Sequence, residues 1–92
     1  MNLHEYADSL AASYSLNAGH FKAVVSCESQ WNASAVGDGG QSYGIAQFYH
    51  PEQDWGFTKE QALDPYFALD QMAKAWSEGK ASKWSCWRIL YG

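Results

Sequence analysis

The chain has few basic residues, and this scarcity argues against one large class of partners. Lysine and arginine together number six among 92 residues, against ten aspartates and glutamates, which gives a net charge of −4. Because affinity for nucleic acid depends largely on clustered lysine and arginine, we expect no nucleic-acid partner. An acidic chain is also repelled by other anionic polymers at long range. Such a substrate would have to be held by short-range stacking and hydrogen bonds.

Long apolar runs are absent as well. No stretch approaches the roughly 20 apolar residues that span a bilayer, so we expect no membrane insertion. The first residues lack the basic and then apolar pattern of a secretory signal. The chain is expected to be made without export, or to be an excised domain or a mature form, and its compartment stays open. With 47% apolar residues, it predicts one folded domain over residues 1–92, either a monomer or part of a larger protein.

Cysteine and histidine are few and scattered. Cys27 and Cys86 form no CxxC unit, and His4, His20 and His50 lie at unrelated spacings. No metal-ligand pattern results, so we expect neither a metal site nor a cofactor. The two cysteines either form a disulfide, which would tie the middle of the chain to its C-terminal segment, or remain as buried free thiols.

Apolar residues recur at helical spacing near the start of the chain. The pattern between Leu3 and Tyr14 predicts a first helix. Phe21 and Val25 then share one side of a second helix with Glu28. This position puts the carboxyl of Glu28 on or beside an apolar face, where desolvation would raise its pKa.

The remaining segments predict further helices separated by turns. In chain order they are a loop or small hairpin over 32–43, a short helix over 44–49, a capping box at Thr58 and Gln61, a helix from Asp64 to near Gly79, and a short helix over 82–88. The sequence therefore predicts an all-α fold of about five to six helices, with a glycine-rich loop or small hairpin after the second helix.

Glu28 also stands in the most distinctive pattern of the chain. It lies in the segment 27–32, Cys-Glu-Ser-Gln-Trp-Asn, and a glycine-rich turn that carries Asp38 follows. A glycosidase needs one carboxyl to protonate a leaving oxygen and often a second carboxyl nearby. The pattern therefore indicates cleavage of a glycosidic bond.

These residues resemble the lysozyme-like superfamily, and within it the lytic transglycosylases and goose-type lysozymes. The pair Glu28 and Ser29, the glycine turn and the segment 44–48, Gly-Ile-Ala-Gln-Phe, follow the order and near spacing of the family's Glu-Ser and Gly-Leu-Met-Gln elements. The resemblance is specific over 24–49 and weaker beyond it. It implies a minimal, shortened version of the family's domain that cleaves the β-1,4 bond between N-acetylmuramic acid and N-acetylglucosamine in peptidoglycan glycan strands.

The resemblance also implies roles for individual residues. Glu28 would be the general acid and then the base, while Ser29 and Gln47 would shape the site around it. The residues implied to bind substrate are Ser29, Ser42, Tyr43, Gly44, Gln47 and Tyr49.

Asp38 is the informative departure from the transglycosylases, which commonly have a serine near this place, whereas goose-type enzymes carry an aspartate. If Asp38 reaches the cleft, it could hold a water for hydrolysis by two carboxylates. If it points to solvent, the substrate's N-acetyl group could assist and the product would be a 1,6-anhydro sugar. A further acid of the goose-type enzymes is replaced here by Tyr49, which weakens that analogy.

Two other classes of function fit the same sequence. One is a glycan-binding module that keeps the groove but not the turnover, as the short chain and acidic composition allow. The other is a structural domain of a larger assembly, such as a phage tail or secretion apparatus.

Overall fold

The computed structural model describes residues 1–92 and is built mostly of helix, with one small sheet. The helices are α1 (Leu3–Ser13), α2 (Ala18–Ser29), α3 (Lys59–Leu63), α4 (Pro65–Ser77) and α5 (Ser85–Tyr91), and the strands are β1 (Val36–Gly37), β2 (Ser42–Tyr43) and β3 (Phe48–Tyr49). Short 3-10 turns cover Asp38–Gly40 and Ala81–Lys83, and a π-helical turn covers Pro51–Trp55. None of the helices has the length and apolar character that crossing a bilayer requires.

Side-chain caps fix where the helices begin. Asn2 and Glu5 form a capping box at the start of α1, with the Glu5 N–H donating to the Asn2 side chain at 2.8 Å. Thr58 and Gln61 form the predicted capping box of α3, and Asp64 caps α4 as the sequence predicted. Each cap satisfies N–H groups that the first turn leaves without partners, which accounts for the accuracy of these predicted starts.

The three strands form an antiparallel sheet in the order β1-β2-β3. Val36 pairs with Tyr43, which in turn pairs with Phe48. The β1–β2 hairpin lies within 32–43, where the sequence predicted a loop or a small hairpin, and β3 adds a second hairpin. The fold is therefore mostly helical with one small sheet, rather than all-α as predicted.

The predicted short helix over 44–49 was wrong. Gly44 (φ +84°) and Gln47 (φ +51°) both adopt left-handed backbone conformations, which no helix continues through. The chain instead makes a turn and enters β3, with Ile45, Ala46 and Phe48 all buried. These three side chains face the core, while Gln47 and Tyr49 of the same segment line a groove on the surface.

One cluster of 18 buried residues forms the core. Its largest fully buried side chains include Phe21, Val24, Leu69, Met72 and Phe48. Helices α1 and α4 both contact this cluster, where small residues such as Ala7, Ala68 and Ala73 allow the helices to lie close together. Side chains of α2 and of the sheet belong to this cluster, so both elements are packed against the same core.

The two cysteines are paired. A disulfide joins Cys27 in α2 to Cys86 in α5, with Cα atoms 6.0 Å apart, and no free cysteine remains. The two cysteines are 59 residues apart in sequence. A loop of this length is worth about 4 kcal/mol in the chain-entropy model. It holds the C-terminal helix against the end of α2, beside Glu28.

Candidate active site

An open groove of about 960 Å³ lies where the end of α2, the sheet, the π-helical turn and the start of α5 meet. Its walls are more polar than apolar. The lining residues are Glu28, Asp38, Ser42, Gln47, Phe48, Tyr49, Gln53, Asp54, Trp55, Lys83, Trp84, Ser85 and Arg88.

Glu28 lies in the last turn of α2 and is half-buried. Its Oε2 atom accepts hydrogen bonds from the backbone N–H of Cys86 at 3.1 Å and from the Ser85 hydroxyl at 3.4 Å. Burial raises the pKa of the Glu28 carboxyl above its ordinary value of 4.5, and the charge on Asp38 raises it further. The two hydrogen bonds and the charge on Arg88 act in the opposite direction without cancelling the effect. The carboxyl therefore holds its proton to a higher pH than a free glutamate does.

Asp38 faces the same groove from the glycine-rich turn after β1. Its backbone is left-handed, with φ +50°. The hydroxyl of Ser42, which is almost fully buried, donates to Oδ2 of Asp38 at 2.6 Å. One carboxylate oxygen is therefore fixed by the protein, which orients the other for a ligand or a water.

Gln47 lines the groove and at the same time stabilises the turn that builds it. Its Nε2 atom donates to the carbonyl oxygens of Ala35 at 3.1 Å and Gly44 at 2.8 Å. A Cβ atom at Gly37 would lie 2.5 Å from Oε1 of Gln47, so a side chain at this position would displace the Gln47 amide. Each of these carbonyls also accepts a backbone N–H, from Gly44 and from Gln47 respectively, so the Gln47 side chain adds a second hydrogen bond to both and ties the turn together.

Aromatic side chains form another wall. Tyr49 is 46% exposed and Trp55 is partly exposed, while Trp84 behind them is buried and donates from its indole N–H to the Ala46 carbonyl at 2.8 Å. The ammonium of Lys83 lies 5.7 Å from the centre of the Trp55 ring. Exposed rings of this kind can stack on the apolar faces of sugars.

The backbone around the groove is strained. Asp38, Gln47 and His50 all have positive φ although none is glycine. Such conformations cost about 1–3 kcal/mol each and concentrate at functional sites. Three further residues with positive φ, Ser15, Gln30 and Trp31, follow the ends of α1 and α2, so left-handed residues also occur where helices end.

No known family model, curated protein or solved structure matches the chain. The interpretation of the groove therefore depends on its own residues and their geometry.

The structure brings five of the eight residues singled out from the sequence into the groove. These are Glu28, Asp38, Ser42, Gln47 and Tyr49. The other three residues do not line it. Ser29 is buried and donates to the carbonyl of Ile45 at 2.7 Å, so it joins α2 to the turn before β3.

Tyr43 and Gly44 also lie outside the groove. The Tyr43 hydroxyl donates to the Gly40 carbonyl at 2.6 Å, and Lys59 lies over the ring. Gly44 is buried against the backbone of Ala62, where a side chain would collide. Both residues therefore contact α3 instead of the groove.

Sequence reasoning missed the part of the groove that comes from the second half of the chain. Gln53, Asp54, Lys83 and Ser85 were not singled out. One available signal was the pair of cysteines, because a disulfide between them places residues 83–88 beside Glu28. No group of three or more His, Cys, Asp or Glu side chains has the arrangement of a metal site.

Proposed function

We propose that this chain cleaves the β-1,4 glycosidic bond between N-acetylmuramic acid and N-acetylglucosamine in peptidoglycan strands, as a small muramidase of lysozyme-like fold. The observation that carries the proposal is Glu28, whose desolvated carboxyl has a raised pKa and opens onto a groove shared with a second, oriented carboxylate. A raised pKa keeps a carboxylic acid protonated near the pH at which it must act as a general acid.

The proposed reaction uses the two carboxyls in different protonation states. Glu28 donates its proton to the glycosidic oxygen as the C1–O bond breaks. Asp38 accepts a proton from a water whose oxygen forms the new bond to C1, which is the two-carboxylate inverting scheme. The fixed Oδ2 of Asp38 supports this role, since a base that positions water must itself be held in place.

Replacing Glu28 by glutamine tests the proposal. The change keeps shape and removes the acidic proton, so release of fragments from purified sacculi should fall by about 10²- to 10⁴-fold. Glu60→Gln is the matched control, because Glu60 is exposed on α3 and does not line the groove. A Glu28→Gln protein that cleaves sacculi at the wild-type rate would refute the mechanism.

The products distinguish hydrolysis from the transglycosylase route. In that route Glu28 acts first as acid and then as base, and the sugar's own hydroxyl forms a 1,6-anhydro end. Mass spectrometry should show reducing ends, which are one water heavier than anhydro ends. Exclusively anhydro ends would keep Glu28 as the acid and remove Asp38 as the base.

A second candidate function is glycan binding without turnover. It is favoured by the two hydrogen bonds on Glu28 Oε2, because a carboxylate that joins α2 to α5 also has a structural use. In that case wild type and Glu28→Gln would bind sacculi equally and release no fragments. Trp55→Ala would weaken that binding through the loss of a stacking surface.

A further inference from the structure

The Cys27–Cys86 disulfide lies directly against the proposed acid. Cys27 precedes Glu28 on α2, and Cys86 supplies the backbone N–H that donates to Glu28 Oε2. The same covalent bond therefore fixes both the helix that carries the carboxyl and the group that contacts it. No other disulfide exists in the chain.

The start of α5 has no side-chain cap of its own. Trp84 occupies the cap position and makes no capping hydrogen bond. The N–H groups of a first helical turn lack partners within the helix, and Glu28 satisfies one of them from a different helix. The Glu28 carboxyl thus gives an N–H of α5 its hydrogen-bond partner, and that N–H in turn holds the carboxyl in place. The disulfide keeps the two groups in contact.

The hydrogen bonds also distinguish the two oxygens of the carboxyl. A backbone N–H can only donate, and the carbonyl oxygen of a carboxylic acid is a better acceptor than its hydroxyl oxygen, so this contact favours Oε2 as the carbonyl-type oxygen when Glu28 is protonated. The proton is then carried by Oε1, the oxygen that α5 leaves free.

From this arrangement we infer that the Cys27–Cys86 disulfide is a positioning element of the active site, which holds the Cys86 N–H on Oε2 so that Oε1 presents its proton to the substrate. The inference rests on the proposed function for its catalytic part. Its geometric part is independent of catalysis. Other charged groups around Glu28 in the groove are Asp38, Asp54, Lys83 and Arg88. Arg88 lies on α5 and Lys83 just before it, so the disulfide also holds these two cations near Glu28.

Removal of the disulfide should lower kcat more than it raises KM. The test compares oxidised wild type, wild type reduced by dithiothreitol, and a Cys27→Ser/Cys86→Ser variant shown by circular dichroism to be folded at the assay temperature. A displacement of the acid by about 1 Å can cost a hundredfold in rate, so kcat should fall by about 10- to 100-fold. KM should stay within about threefold, because Tyr49 and Trp55 reach the groove from other segments.

Nuclear magnetic resonance provides a readout that a merely stabilising disulfide would not change. In the oxidised chain the amide proton of residue 86 should shift with pH at the same midpoint as the Glu28 carboxyl, and it should lose this response without the disulfide. An unchanged response together with an unchanged kcat would overturn the inference. If the wild type releases no fragments, the proposed function fails, and the amide titration alone decides the geometric part.

A second variant keeps the disulfide and removes the contact. Glu28→Asp shortens the side chain by one methylene and withdraws the carboxyl from the Cys86 N–H. The amide of residue 86 should then stop following the carboxyl, and kcat should fall by about 100-fold. Retention of the wild-type kcat by Glu28→Asp would contradict the inference even where the cysteine variant does not fold. Ser82→Ala is the control, since the Ser82 side chain does not line the groove.

Discussion

Helices α1, α2 and α4, which we call the helical half, differ from the groove segment 36–55 in how their residues contribute to stability. Helices α1, α2 and α4 have side-chain caps at their starts and bury a continuous apolar face. The groove segment consists of three strands of two residues each, joined by turns in which Asp38, Gln47 and His50 have left-handed backbones. The helices supply most of the buried apolar side chains, while the groove segment holds three polar side chains in left-handed conformations.

This difference shows which residues stabilise the fold and which residues lower the free energy of unfolding. Each left-handed residue that is not glycine costs about 1–2 kcal/mol, and short strands satisfy few backbone groups by themselves. Gln47 and Ser29 compensate by donating to backbone carbonyls around the turn before β3. We therefore expect substitutions in the helices to reduce stability and substitutions in the groove to reduce rate.

The largest effect on stability is expected in the helical half. Leu69 of α4 is fully buried, and Leu69→Ala should lower the free energy of unfolding by about 2–5 kcal/mol, because a cavity remains in the core. Urea unfolding followed by circular dichroism measures this change. The folded fraction should cleave sacculi at nearly the wild-type rate, since Leu69 does not line the groove.

Leu63→Ala is the control for that comparison. Leu63 is 37% exposed at the end of α3, so its truncation should change the free energy of unfolding much less. Equal losses for the two leucines would mean that the helical half is not the source of stability that its packing indicates.

The second expected effect is in the groove, where a substitution should lower the rate of hydrolysis and leave the stability nearly unchanged. Asp38→Asn should lower the rate of hydrolysis by about 100-fold while changing the stability little, because asparagine can still accept from the Ser42 hydroxyl. Asp54→Asn is the matched variant, as Asp54 lines the same groove without a serine to orient it. Comparable losses of rate for both aspartates would show that groove charge, rather than a positioned base, is what the reaction needs.

The same contrast explains how much the sequence could predict. The starts of α3 and α4 were predicted correctly because the Thr58 and Asp64 caps act within a few residues. The segment 44–49 was mispredicted because its left-handed turn is stabilised by Gln47 and by the surrounding core, which are tertiary contacts. The Glu28 motif pointed to the end of α2, but the wall formed by Lys83, Ser85 and Arg88 depends on chain reversal and a distant cysteine pair.

The smallest expected effect on stability concerns Glu28, which lies on helix α2 and also lines the groove. The folded chain raises the pKa of Glu28 above 4.5, so the folded state binds this proton more tightly than the unfolded state does. The stability contributed by the protonated carboxyl is complete below pH 4.5 and is lost as the pH rises through the folded-state pKa. Glutamine has no proton to lose, so Glu28→Gln should gain stability over the wild type across that window.

Urea unfolding of wild type and Glu28→Gln at pH 4 and at pH 7 measures this gain. The two proteins should be close in stability at pH 4, and the glutamine variant should be the more stable at pH 7, although it is the less active. The contributions of most other titrating groups cancel when the free energies of unfolding of the two proteins are subtracted, because both proteins contain these groups. If the glutamine variant is instead less stable at pH 7, the bond from the Cys86 N–H to the carboxylate outweighs its desolvation, and Glu28 belongs with the stabilising half of the molecule.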